Sequence, residues 1–284
     1  MTDTLRVFDD LPALPQRLRA ARVAGQRIGL VPTMGNLHEG HLALVREARN
    51  HCDYVLATIF VNPLQFGPNE DFGRYPRTFE ADVQSLETSS CDAVYVPDAK
   101  EMYPEGMESH TRVSVPRLST LHCGASRPGH FDGVCTVVNK LFNMIQPHAA
   151  FFGLKDYQQF RIISRMVQDL QMPIQLIGVP TIRETSGLAL SSRNSFLDAA
   201  QRQQAASLYS TLLLTATRLR QGASRFGELA EAACAALQTA GLRPDYVHIC
   251  NRQTLELAGE GDRELVILAA AWAGSTRLID NIQV

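Results

Sequence analysis

Hydrophobic and polar positions along the chain switch between two periods, and the order of the switches predicts a parallel sheet. A first amphipathic stretch, Leu14 to Ala24, reads as a helix. The run RIGLVPT, Arg27 to Thr33, is short, apolar and ended by Pro and Gly, the pattern of a buried strand. From Glu39 to Asn50 the apolar residues Leu42, Leu44, Val45 and Ala48 fall largely at helical spacing, and Asp53 to Val61 returns to a β-branched strand. Strand, helix and strand within about 35 residues make the βαβ unit of a parallel sheet. The alternation continues with helices over Phe79 to Ser89, Gly133 to Ile145 and Asp156 to Leu170, and strands over Asp92 to Val96, Ala149 to Phe152 and Ile174 to Val179. The expected fold is α/β, a Rossmann-like doubly wound parallel sheet over residues 1–183. From about Thr185 the grammar changes. Two Ala-rich helical stretches, Asp198 to Arg220 and Ser224 to Ala240, precede strand-like segments at Asp245 to Cys250, Glu264 to Ala271 and Arg277 to Ile282. They predict a second, smaller α+β C-terminal lid domain over residues 184–284, jointed at the Arg183 to Gly187 loop.

Composition removes whole classes of function. With 45% hydrophobic and 20% charged residues, the 284-residue chain has the globular balance, against disorder. Lys plus Arg number 27 against 29 Asp plus Glu, so no cation excess favours a nucleic-acid partner. The six cysteines, at 52, 91, 123, 135, 234 and 250, form no CxxC pair and read as buried thiols of a reducing compartment. The N-terminal stretch lacks a continuous apolar core and no run of about 18 apolar residues follows. A soluble cytoplasmic protein with no membrane partner is expected.

Polar segments recur where predicted strands end. The first is PTMGNLHEGH, Pro32 to His41, at a strand-to-helix handover. Ligands of open parallel sheets bind beyond the strands' carboxyl ends, and the N–H groups and dipole of the following helix favour anions. Gly35 and Gly40 allow close backbone approach, while His38 and His41, three apart, should share one face and donate to phosphate oxygens. The spacing is one short of the zinc motif HExxH. A plain helix-capping loop would explain this segment taken alone. The second segment, Phe60 to Thr78, supplies Asn62 and Gln65, amides suited to a substrate bearing hydroxyl and carboxylate groups; an ordinary polar loop is the competing reading. Asp71, Glu80 and Asp82 could face a divalent cation, although solvated surface acids are the better reading of the residues alone. In the third, Arg127 to Phe160, residues Gly153, Lys155, Asp156, Gln158 and Gln159 lie where a strand ends and a helix begins. A lysine beside a helix N-terminus is unfavourable without an anion, so Lys155 suggests a phosphate partner. His130 and Asp132 read as a structural turn. The fourth, Leu188 to Asn194, offers the hydroxyls of Ser191 and Ser192 and the guanidinium of Arg193, a weak signal by itself.

Taken together and in order, PTMGNLHEGH, FVNPLQFG, YPRT, RPGHFDGVCTVVNKLFN, FGLKDYQQ and LALSSRN resemble the pantothenate synthetase (pantoate–β-alanine ligase) family of the HxGH nucleotidyltransferase superfamily, over nearly the whole chain. Leu154 departs from the pattern, since relatives often carry Glu or Gln there. The resemblance implies ATP-dependent joining of pantoate to β-alanine through a pantoyl adenylate, with Mg²⁺, in a homodimer. It implies that Met34, Gly35, Asn36, Leu37, His38, Glu39, Gly40 and His41 hold ATP, with His38 and His41 on its phosphates and His41 as proton donor. Lys155, Ser191, Ser192 and Arg193 would bind phosphates, and Gly153, Leu154, Asp156, Ile182 and Leu190 would border the nucleotide. Gln65 and Gln159, helped by Asn62, would bind pantoate, and Asp82 would lie near the magnesium. The activated intermediate calls for a lid that excludes water. Another adenylate-forming member of the superfamily would share the ATP segments but differ at Asn62, Gln65 and Gln159; a non-catalytic nucleotide sensor is disfavoured by His41, Lys155 and both glutamines.

Overall fold

Short, nearly continuous apolar runs build the first sheet. The computed structural model describes residues 5–9, 13–68 and 70–284. Along the chain come β1 (Arg6–Phe8), α1 (Ala13–Val23), β2 (Ile28–Thr33), α2 (Glu39–His51), β3 (Tyr54–Ile59), α3 (Phe79–Thr88), β4 (Ala93–Tyr95), α4 (Ala99–Met102), α5 (Cys123–Ser126), α6 (His130–Ile145), β5 (Ala149–Gly153), α7 (Tyr157–Asp169) and β6 (Gln175–Val179). Six strands pair in the order β1-β4-β3-β2-β5-β6, every neighbour parallel. On one face Val31, Val55, Ala57, Val94, Ala149 and Phe151 bury against Leu44, Val45 and Ala48 of α2 and Leu86 of α3. Alternate residues face the other way, where the Arg17 guanidinium of α1 lies 4.7 Å over the Tyr54 ring and α1 touches α6. Helices on both faces make the sheet doubly wound, as the alternation predicts. Strand order reverses between β2 and β5, so the crevice beyond their carboxyl ends is the place for a ligand.

The C-terminal part contains α8 (Ala199–Arg220), α9 (Phe226–Thr239), β7 (Arg243–Asn251), β8 (Leu265–Ala273) and β9 (Thr276–Gln283). The three strands form an antiparallel sheet, β7-β8-β9. Its helix-facing side chains, among them Val247, Ile249, Ile267, Ala269 and Leu278, share a core with Leu208, Leu212, Ala216 and Leu237 of the two helices.

By density of internal contacts the chain forms two units. The first holds residues 1–119, 127–154 and 159–180; the second holds 120–126, 155–158 and 181–284. Three details differ from the sequence reading. Strand β1 was not expected, being three residues long and mostly exposed, too short to show a period. Helix α6 starts at His130 rather than Gly133, because Gly129 takes a left-handed conformation (φ 80°) just before it. The Arg183 to Gly187 loop lies wholly inside the second unit. There Arg183 makes two bonds to the Asp280 carboxylate (2.6 and 2.8 Å), donates to the Gly187 carbonyl (3.1 Å) and stacks 3.7 Å over the Tyr209 ring. That is a clamp rather than a free joint.

Candidate active site

The segment after β2 is organised by one carboxylate. Thr33 Oγ1 donates to the Thr58 carbonyl (2.7 Å) and accepts from Gly35 N–H (3.2 Å). Gly35 and Asn36 then take left-handed conformations in succession (φ 79° and 50°). A Cβ at Gly35 would fall 3.0 Å from Asp82 Oδ2, so the glycine is needed for approach as well as for φ. Asp82, on the first turn of α3 and only 2% exposed, accepts from the backbone N–H groups of Asn36 (2.9 Å) and Leu37 (2.7 Å) and from Thr78 Oγ1 (3.1 Å). The expected surface acid is therefore a buried anchor of the turn. Both its oxygens are engaged, and among the described residues no group of three His, Cys, Asp or Glu side chains is placed to hold a metal. Anchoring the turn is the role these contacts give Asp82.

From that turn the chain enters α2 through a capping box built of histidines. The His38 imidazole Nδ1 accepts from Gly40 N–H (3.1 Å), and His38 N–H donates to His41 Nδ1 (3.3 Å). Position and spacing are those of the S/T-x-x-E box, with imidazoles as the acceptors. A neutral imidazole that accepts at Nδ1 carries its proton on Nε2. The rings lie 4.1 Å apart, centroid to centroid, at the positive end of the helix. Glu39 instead forms an ion pair with Arg46 on the exposed face of α2.

An amide chain adjoins this loop. Gln65 Nε2 donates toward the Met34 thioether (3.1 Å), and Gln65 Oε1 accepts from Asn62 Nδ2 (3.2 Å). Asn62, 1% exposed, also donates to the Gly133 carbonyl (3.1 Å) and accepts at Oδ1 from Tyr103 OH (2.8 Å) and Leu64 N–H (3.3 Å). Asn62 thus holds Gln65 from behind. Gly133 is required because a Cβ there would collide with the Leu64 carbonyl. His130, expected in a turn, opens α6 with Nδ1 2.7 Å from the Gln65 carbonyl, and Arg127 grips Glu70 through two bonds (2.6 and 2.5 Å). Burial alone would raise the Glu70 pKa; Arg127 outweighs it and holds the carboxyl below its usual value. Tyr103 was missed by the sequence reading, and only its place in the MYP turn could have drawn notice.

At the end of β5, Gly153 and Leu154 lead into a short 3₁₀ turn. The Leu154 side chain lies on β6, where a Cβ at Gly178 would fall 2.5 Å from its Cδ2, with Phe160 alongside. Apolar packing thus accounts for the departure from the family pattern. Gln159 is half-buried. Within the second unit, Lys155 and Asp156 are half-buried and the Lys155 carbonyl accepts from Asn281 Nδ2 (2.9 Å). Gln158 is structural: it accepts from Cys123 N–H (3.1 Å) and donates to the Leu121 carbonyl (2.7 Å). Leu190 N–H donates to the Ile182 carbonyl (2.9 Å), which brings Ile182 beside the serine segment. Ser191 Oγ caps the next turn by accepting from Arg193 N–H (3.3 Å), so Ser191, Ser192 and Arg193 form one tight bend.

The second unit also buries polar groups that no sequence signal marked. His122 (φ 45°) donates from Nε2 to the carbonyl of Leu255 (φ 59°) over 2.6 Å and accepts at Nδ1 from His248 Nδ1 over 2.8 Å. Burial lowers both imidazole pKa values, and with the neighbouring His122 brings His248 down to about 4. All six cysteines are free, and burial raises Cys91, Cys135 and Cys250 to about 12, which makes inert thiols of them.

Comparison with known proteins gives the chain its family. A family model described as pantoate-beta-alanine ligase matches residues 6–283. The chain is 54% identical to the pantothenate synthetase of Pseudomonas fluorescens over 99% of its length and 97% of the relative's, and 56% identical to that of Pseudomonas putida with the same coverage. Among solved structures, the pantothenate synthetase of Thermus thermophilus is similar with a TM-score of 0.90 at 44% identity, covering 98% of this chain and 99% of that one. The pantoate-beta-alanine ligase of Francisella tularensis, complexed with β-γ ATP and β-alanine, is similar with a TM-score of 0.78 at 33% identity over 98% and 97%. With a strand reversal between β2 and β5, a histidine capping box following β2, and relatives of this identity along nearly its full length, the chain belongs to the pantoate–β-alanine ligase family.

Proposed function

We propose that the protein condenses (R)-pantoate with β-alanine, coupled to cleavage of ATP to AMP and pyrophosphate. A carboxylate does not acylate an amine unaided, because it is anionic and its leaving group would be oxide. The pantoate carboxylate attacks the α-phosphorus, displacing pyrophosphate, and the amine of β-alanine then attacks the acyl carbon of the adenylate and displaces AMP. The first unit binds ATP along Met34 to His41 and pantoate at Gln65 and Gln159. By the family resemblance Lys155, Ser191, Ser192 and Arg193 bind phosphate oxygens, and Gly153 to Asp156, Ile182 and Leu190 border the nucleotide. Mg²⁺ brought in with ATP would neutralise charge on the phosphate oxygens.

The observation that carries this reading is the capping box. Because both Nδ1 atoms of His38 and His41 accept from the backbone, both rings hold Nε2–H donors at a helix N-terminus, the polarity that charge growing on phosphate requires. No side chain acts as a covalent nucleophile; positioning and charge stabilisation carry the rate. The test is pyrophosphate release that requires pantoate, and AMP release that requires β-alanine as well. Replacing His41 or Lys155 by Ala should slow adenylation by about 10²–10³. Pyrophosphate release independent of pantoate would overturn the assignment. The family resemblance also supports a cytoplasmic homodimer, so light scattering should return twice the chain mass of 31.4 kDa; a single-chain mass would refute it.

A further inference from the structure

The amide chain behind Met34 has a fixed direction, and its shortest bond comes from a residue with no assigned role. Tyr103 is buried (3% exposed) and its OH donates to Asn62 Oδ1 over 2.8 Å. Leu64 N–H donates to the same oxygen. With Oδ1 committed to two donors, the Asn62 amino group faces the other way, toward the Gly133 carbonyl at 3.1 Å and Gln65 at 3.2 Å. The Gln65 atom meeting an amino group must be its carbonyl oxygen. Its own amino group is therefore turned to the Met34 sulfur at 3.1 Å, a weak acceptor that leaves the donor poorly satisfied.

We infer that Tyr103 is a positioning residue that, together with Leu64 N–H and the Gly133 carbonyl, fixes the polarity of Gln65, so that the glutamine presents N–H donors and its subsite selects an oxygen acceptor, a carboxylate or hydroxyl of the acid substrate, over an ammonium or amide N–H. The inference rests on the proposed ligase reading and deepens it. Tyr103 reaches the substrate only through Asn62 and Gln65. Burial pushes the Tyr103 phenol well above its usual pKa, so the group stays a donor throughout the working range. With OH removed, Asn62 Oδ1 loses its shortest donor, Leu64 N–H and the Gly133 carbonyl alone hold the amide in its orientation, and the Gln65 carboxamide is held less firmly with its donors toward an anionic substrate.

The experiment is steady-state pyrophosphate release by wild type, Tyr103→Phe, Gln65→Ala and the Gln65→Ala/Tyr103→Phe double variant, with melting temperatures for each. Tyr103→Phe should raise the pantoate KM about tenfold while kcat and the ATP KM stay within about twofold. In the Gln65→Ala background the same change should add less than about twofold, because the residue through which Tyr103 acts is gone. An unchanged pantoate KM, an equal rise in both KM values, or a full additional loss in the Gln65→Ala background would overturn the inference. Should Tyr103→Phe melt more than about 5 °C early, Gln65→Glu decides: it keeps the shape but replaces donor by acceptor, and must raise the pantoate KM about a hundredfold with the ATP KM preserved. A normal pantoate KM there overturns the inference too. Wild type without pantoate-dependent release would overturn the ligase reading itself, a result distinct from any failure of the variants.

Discussion

At Asp82 one buried carboxylate answers two consecutive N–H groups of a left-handed turn, and the turn delivers His38 to its capping position. Charge-assisted bonds to a carboxylate are worth about 1.5–3 kcal/mol each. Asp82→Asn keeps one acceptor but sets an amino group against a backbone N–H. We expect a loss of about 2 kcal/mol in urea unfolding, a fall of tenfold or more in kcat/KM for ATP, and an unchanged midpoint of Mg²⁺ activation. A midpoint displaced several-fold would place the metal at Asp82 after all. The placing of His38 and His41 together at a helix start was legible in the sequence, because type and spacing at a strand end carry a message. The anchoring of the turn by Asp82, 45 residues beyond Leu37, was not, since a carboxylate in the first turn of a predicted helix looks the same whether it meets solvent or a buried turn. Tyr103 was hidden for the same reason.

Among elements, those with a buried face were readable and those without were not. Strands β2, β3 and β5 and helices α2 and α7 lie within two residues of their expected ends because apolar period and core coincide. Strand β1 had no such pattern, and the start of α6 depended on the φ of Gly129, which sequence does not display. The latch from His122 to Leu255 and His248 was likewise invisible, being set by tertiary contacts alone. Its pH behaviour follows from linkage: both imidazoles titrate below their ordinary value in the fold, so the unfolded chain binds more protons in acid. Their contribution is complete above pH 6.5, is lost as the pH falls, and levels off below about 4 for His248. The melting temperature should decline through that window, and His248→Asn should flatten part of the decline; a wild-type curve already flat between pH 6.5 and 4 would contradict the assignment.

For the whole molecule, the sequence grammar distinguished a parallel α/β half from an antiparallel remainder, because helix-strand alternation and consecutive strands are local patterns. What it missed is that the second unit includes 120–126 and 155–158, stretches lying far earlier in the chain than its main body. Their membership depends on bonds such as Ser126 Oγ to Asp245 (2.9 Å) and Tyr157 OH to the Arg252 carbonyl (3.1 Å). No periodicity encodes pairings 119 and 95 residues apart.

That interleaving decides how the polypeptide can be dissected. A truncated gene product covering 181–284 would retain every residue of its aliphatic core, yet the Leu255 and Arg252 carbonyls and the Asp245 carboxylate would forfeit the partners named above. Such a fragment should bind a hydrophobic dye and unfold without a sharp transition in near-ultraviolet dichroism. If instead it melted as sharply as the intact chain, the two borrowed strips would be ornaments rather than parts of its architecture.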